Sequence, residues 1–148
     1  MSKPETYEEA LELLNQSNIF LTDIISEAFR KDYSNRDQDL KITGLNQDLK
    51  LWVDSMVNLE DIVFTSVFAK EQFCKLFNLK FSKDRLQTLT INDRKFKLTI
   101  LPTPAGNGRS VSHFSAFFPL TNEEAYNKKQ GKGFAKQYRK RLYSETLA

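Results

Sequence analysis

An α/β layer structure with parallel strands is the fold this sequence predicts, and three observations predict it. Stretches of helical period alternate with short apolar runs, in the order helix, apolar run, helix, strand, helix; that alternation belongs to layers in which helices cover a parallel sheet. Leu89 and Ile91, an Asn92-Asp93 turn, and Phe96, Leu98 and Ile100 then read as a β-hairpin. A hydrophobic content of 40% and an aromatic content of 12% argue for a folded globule, and 148 residues suit one domain around a single core.

Thr6-Tyr7-Glu8-Glu9 has the capping-box pattern of a hydroxyl followed three residues later by a carboxylate. Tyr7, Leu11 and Leu14 recur at helical spacing beyond it, which predicts a short amphipathic helix over 7–16. Ile19-Phe20-Leu21 is expected to be a short buried segment leading into Thr22-Asp23, with Ile24, Ile25, Ala28 and Phe29 continuing apolar. An acid inside such a stretch costs free energy unless it is paired or functional, so Asp23 is either a functional group or, with Thr22, a helix N-cap. Residues 30–44 read as polar throughout and predict an irregular surface segment. Leu45, Leu49, Trp52, Val53 and Met56 mark one face of the next helix. Ile62-Val63-Phe64-Thr65 reads as a buried strand, with Ser66 placed to cap a helix whose Ala69, Phe73, Leu76 and Phe77 face the core. Cys74 falls among those residues as a small hydrophobe.

The hairpin's second strand runs into Leu101-Pro102-Thr103-Pro104-Ala105-Gly106-Asn107-Gly108-Arg109. Its prolines remove backbone donors and end the strand, its glycines permit close backbone approach to a ligand, and Arg109 carries a permanent charge suited to phosphate. By itself this is either a surface turn or a ligand loop beyond the carboxyl end of a strand, where open α/β sheets bind. Farther on, Val111 to Phe118 carries the lone His113, which reads as a surface or satisfied residue. The C-terminal helix is expected to pack through Phe134, Tyr138 and Leu142, four residues apart, with Gly131 and Gly133 weakening its beginning. Lys128, Lys129, Lys132, Lys136, Arg139, Lys140 and Arg141 lie along it.

Charge is unevenly divided. Residues 1–63 hold six Lys/Arg and thirteen Asp/Glu, a net of −7, whereas residues 64–148 hold sixteen and six, a net of +10. A half so basic suits a polyanionic partner, although facing halves or plain solvation would also account for it. No apolar run approaches the roughly 20 residues of a membrane span, and the N-terminus lacks a signal-peptide pattern. One cysteine and one histidine make neither an internal disulfide nor a zinc site, so no metal and no cofactor are expected, and the default location is cytoplasmic. Phosphate-binding glycine loops, paired histidines and a nucleophile elbow are absent from the sequence.

The order Leu-Pro-x-Pro-x-Gly-x-x-Arg at 101–109, entered from a hairpin strand, resembles the DNA-inserting motif of the uracil-DNA glycosylase superfamily, closest to its mismatch-specific G·U branch and the related uracil and hypoxanthine glycosylases. Phe20-Leu21-Thr22-Asp23-Ile24-Ile25, with Arg30 and Ser34-x-x-Asp37-x-x-Leu40-Lys41, resembles the family's second strand and polar segment. Ile62-Val63-Phe64-Thr65-Ser66 leading to Ala69 is similar to its third strand and following helix. Together these matches span roughly residues 15–142. The resemblance implies a three-layer αβα fold with a short, mostly parallel central sheet, and a monofunctional DNA N-glycosylase of base excision repair that flips a damaged base out of the duplex for attack by water.

On that reading Pro102, Thr103, Pro104, Ala105, Gly106, Asn107, Gly108 and Arg109 contact DNA, with Asn107 as the wedge and Arg109 holding the backbone; Lys136, Arg139 and Lys140 add phosphate contacts. Phe20 and Asp23 would meet the flipped base, because an ionised carboxylate accepts from the N–H that uracil and hypoxanthine both offer. Two departures stand out. Asn107 is polar where the closest branch has an apolar leucine. The family's first strand and its water-positioning glycine-proline loop would lie before residue 1, which implies a chain lacking that catalytic portion, inactive or incomplete by itself, and open to pairing with a chain that supplies the missing strand. The alternative is a non-enzymatic module that binds nucleic acid or an acidic partner through its basic C-terminal half. A small-molecule hydrolase using Asp23 as base is a third reading.

Overall fold

The computed structural model describes residues 4–32, 39–103, 113–131 and 133–147, and among these the chain is mixed α/β. Helix α1 spans Tyr7–Gln16, as its cap predicts: Thr6 Oγ1 accepts from the Glu9 amide at 3.2 Å, while the Glu9 carboxylate accepts from the Glu5 amide. Strands β1 (Ile25–Arg30) and β2 (Leu40–Leu45) pair antiparallel, with Ala28 opposite Ile42 and Arg30 opposite Leu40. Helix α2 is Asp48–Ser55, strand β3 is Asp61–Phe64 and helix α3 is Val67–Leu76. Strands β4 (Leu86–Ile91) and β5 (Arg94–Ile100) form the expected hairpin. A 3₁₀ turn at His113–Ala116 precedes α4 (Asn122–Gln130) and α5 (Phe134–Thr146).

The second sheet has the order β3-β5-β4. Strand β3 runs parallel to β5, with Phe64 opposite Ile100, and β4 runs antiparallel to it. With β1–β2 also antiparallel, one of the three strand pairings among the described residues is parallel, where the expected sheet is mostly so. The β4–β5 turn explains part of that difference: Asn92 and Asp93 adopt φ 49° and 64°, the left-handed pair of a tight hairpin whose twist suits the flanking strands. Such a short connection can only produce antiparallel neighbours.

One core lies between this sheet and the helices around it. Phe96, Leu98, Ile100 and Leu101 are fully buried, and they meet Phe64, Phe73, Val53, Phe114, Phe134, Tyr138 and Leu142. Ser66 caps α3 by accepting from the Ala69 amide at 3.0 Å, and Cys74 is buried. Arg94 fastens the hairpin to α2. Its guanidinium donates to the carbonyls of Val53, Met56 and Leu59 at 2.7, 2.8 and 3.2 Å, spanning the last turn of α2 and the segment after it; the Met56 carbonyl also accepts from the Leu59 amide.

Three expectations fail in the N-terminal third, and for related reasons. Ile19-Phe20-Leu21 is not a buried segment: Phe20 is 54% and Leu21 74% exposed, and the strand begins only at Ile25. Residues 30–44 are not all irregular, because β2 occupies Leu40–Leu45 and takes Leu45 out of the helix that follows. No helix begins at Thr22 or Asp23. Of the residues described before α2, only Ile24 joins the core packing, and the alternation of half-buried Leu40 and Ile42 with exposed Lys41 and Thr43 in β2 is too short to stand out from the polar residues before it.

The C-terminal helix is two helices. Thr121 and Glu124 form a complete capping box for α4, which ends at Gly131 with φ 66°; Gly133 follows with φ 57°. Two glycines in left-handed conformation stop the helix outright, where weakening is the sequence expectation. The packing stripe holds: Phe134, Tyr138 and Leu142 are all buried on α5. Tyr138 donates its hydroxyl to the Phe118 carbonyl, and burial pushes its pKa up to about 12.

Candidate nucleic-acid interface

Because β3 and β5 are parallel, both deliver the chain to the same edge of the sheet. Phe64 leads there into the cap of α3, and the Leu101 amide donates to the Phe64 carbonyl at 2.8 Å before the chain leaves through Pro102 and Thr103. Leu101 and Pro102 are buried and Thr103 is exposed. Pro102 is buried and shapes the exit of the chain. Pro104, Ala105, Gly106, Asn107, Gly108 and Arg109 lie outside the described residues, as do Ser34, Asp37 and Lys132.

Helix α5 reaches the same edge. Lys136, Arg139, Lys140 and Tyr143 recur at i, i+3, i+4 and i+7, so they share one face, and together they line a depression of about 260 Å³. Lys136 and Lys140 are exposed; Arg139 and Tyr143 are half-buried. Tyr143 donates its hydroxyl to the Pro102 carbonyl at 2.8 Å, which joins the basic face to the strand end. Burial raises the Tyr143 pKa, and the cationic Arg139 nearby pulls it the other way. A phenol so held is a neutral donor at ordinary pH and keeps its bond to the carbonyl. Three of the predicted DNA-binding residues are thus brought together with the start of the predicted loop.

Tyr143 is the member of this group that sequence reasoning leaves unassigned. The helical spacing from Lys136 identifies it, since residue 143 falls on the cationic face and off the stripe of Phe134, Tyr138 and Leu142.

Arg141 belongs elsewhere. Its guanidinium lies against the Glu124 carboxylate, with Nη2–Oε1 at 2.8 Å and Nε within 3.0 Å of both oxygens. It also donates to the Pro119 carbonyl at 2.9 Å and pairs with Glu145. Glu124 is 1% exposed; its bonds from Arg141 and from the Thr121 backbone hold its carboxyl below the ordinary carboxylate value, against the opposing effect of burial. This cation locks α5 to α4 and is not part of the basic face.

Phe20 and Asp23 lie in the N-terminal third. Phe20 meets Trp52 edge to face at 5.1 Å between centroids. Asp23 is exposed, so the expected penalty of an acid in an apolar stretch does not arise. Asn46 ties this segment to α2: its side chain donates to the Asp23 carbonyl at 3.0 Å, and its amide to the Ile24 carbonyl at 2.8 Å.

A larger groove of about 570 Å³ runs between β2 and α3, with Leu40, Ile42, Gly44 and Phe68 on its walls. Its charged residues, Glu71 and Lys75, pair with each other at 3.6 Å, so it has no net attraction for an anion. Among the described residues no cluster of three or more His, Cys, Asp or Glu is placed to hold a metal, and no helix is long and apolar enough to cross a membrane. No protein-family model matches the chain, and no curated protein or solved structure is significantly similar to it.

Proposed function

We propose that this chain binds duplex DNA at the carboxyl edge of its parallel strand pair, as a DNA-glycosylase-like protein of base excision repair with the three-layer αβα architecture of the uracil-DNA glycosylases. The observation that carries the reading is the Tyr143–Pro102 hydrogen bond. It sets Lys136, Arg139 and Lys140 beside the point where the chain enters Pro104, Ala105, Gly106, Asn107, Gly108 and Arg109. Cations gathered on one helix face suit a polyanion, and phosphate contacts dominate DNA affinity.

In this reading α5 grips the backbone, Asn107 enters the stack and Arg109 holds the adjoining phosphate. Phe20 offers an aromatic face to a flipped uracil or hypoxanthine, and the Asp23 carboxylate accepts its N–H. The reaction would be hydrolytic release of that base from its sugar. A partner chain that completes the sheet on the outer side of β3 fits the same scheme.

Fluorescence anisotropy on duplexes with and without a single uracil or hypoxanthine tests binding. The triple variant K136A/R139A/K140A should flatten the slope of log K against log salt by about 2.7, because each cation that no longer meets a phosphate removes ~0.9. Absence of any binding by the wild-type chain at low salt refutes the reading.

The exposure of Asp23 favours a second reading, in which the basic face binds nucleic acid or an acidic protein with no chemistry on a base. Equal affinity for damaged and undamaged duplexes, together with no base release on alkaline cleavage, would favour it.

A further inference from the structure

Helix α1 is an amphipathic helix with nothing buried. Tyr7, Leu11 and Leu14 form its apolar stripe, yet Tyr7 is 73% and Leu11 42% exposed, and no residue of the helix joins the core. A ten-residue helix is marginal in water by itself, and helices in proteins take most of their stability from packing such a stripe. The charged side chains of α1 are all acidic: Glu8, Glu9 and Glu12, with no lysine or arginine. The depression on α5 is its complement, with the ring of Tyr143 in a rim of Lys136, Arg139 and Lys140.

We propose that α1 of one copy docks into the α5 depression of a second copy, so that the chain forms a two-fold dimer through two reciprocal α1–α5 contacts. Tyr7 and Leu11 cover the exposed part of Tyr143, and Glu8 and Glu12 meet the cations on the rim. The same patch pair, used twice, closes the assembly at two chains. The split of charge between the halves, −7 against +10, gives the encounter its direction, because each copy offers the acidic helix that the other's basic face attracts. A polyanion bound to α5 would displace α1, so self-association and nucleic-acid binding compete.

Sedimentation velocity on the full chain at low and high salt tests this. The wild-type protein should dimerise at low salt and dissociate as salt rises. Y7A/L11A alters only residues outside the core, and circular dichroism checks that the fold persists; it should weaken the dimer by roughly tenfold. E8K/E12K and K136E/K140E should each weaken it similarly, and the two reversals combined in one chain should restore it, because a basic helix then meets an acidic depression. A chain that stays monomeric at low salt overturns the proposal. So does a dimer indifferent to E8K/E12K, or one that the combined reversal fails to restore. A dimer with these properties that binds no DNA leaves this inference standing and removes the functional reading above; dissolution of the dimer by duplex DNA supports both.

Discussion

Adjacent cations on α5 are predicted to do different work, and replacing Arg141 and Lys140 each by methionine separates the roles. Arg141→Met strips the buried Glu124 carboxylate of its guanidinium partner and leaves the Pro119 carbonyl without this donor. Removing one partner of a buried pair typically costs about 3–5 kcal/mol. Arg141 keeps about a quarter of its side chain exposed, so the lower figure of ~3 kcal/mol applies. For a domain of this size that lowers Tm by roughly 6–12 °C. Lys140 is exposed, and Lys140→Met should change stability by less than about 0.5 kcal/mol. Thermal melts give the first half of the contrast and anisotropy on duplex DNA the second: Lys140→Met weakens binding, whereas Arg141→Met leaves it unchanged at temperatures where the variant is folded. Equal melting temperatures for the two variants, or a larger affinity loss for Arg141→Met, would refute the division.

Glu124 has its folded-state pKa below the ordinary 4.5, so its contribution is fully present above that pH and is lost as pH falls through the depressed value; melts from about pH 6 downward should show a steep loss that Glu124→Gln makes shallower. Lys70 is fully buried, donates to the Asp84 carbonyl at 3.0 Å, and has its pKa lowered chiefly by burial. The unfolded chain therefore binds more protons, and stability rises as pH climbs through the lowered value toward 10.5. The Tm difference between Lys70→Met and wild type should shift in favour of the wild type as pH rises toward 10.5, and a constant difference would contradict this. Asp93→Gly places glycine at φ 64° in the hairpin turn and should stabilise by about 0.5–1 kcal/mol in chemical denaturation, with Asn92 kept because it donates to Asp54 at 3.0 Å.

Local chemistry makes part of this fold legible in the sequence. The caps at Thr6 and Ser66, the Asn92-Asp93 turn and the Phe134, Tyr138, Leu142 stripe act within a few residues, and the structure keeps each of them. Strand β2 is hidden because its alternation is brief: Leu40 and Ile42 alternate with Lys41 and Thr43 only until Gly44, and the strand lies outside the core. The same lack of burial undoes the expectation for Phe20 and Asp23, where apolar letters suggest an interior that the chain does not build. Two left-handed glycines turn a weakened helix into a break, since φ rather than propensity decides the matter there. Of the site, the cations of α5 are legible from composition and spacing. Their junction with the strand end is not, because Tyr143 and Pro102 are far apart in sequence. The pairing of Arg141 with Glu124 is equally invisible, which is why one cation in a basic run proves structural.

The Arg94 clamp bears on the order in which the chain folds. The β4–β5 hairpin has a two-residue turn and can close in microseconds, whereas the parallel β3–β5 pairing must first close the long loop that contains α3. Arg94 opens β5 and holds the carbonyls of Val53, Met56 and Leu59, just ahead of β3. Its three bonds shorten the remaining search to the four residues of β3. Arg94→Lys, which cannot span the three acceptors with one planar group, should therefore slow refolding more than it speeds unfolding, placing this side chain in the folding nucleus.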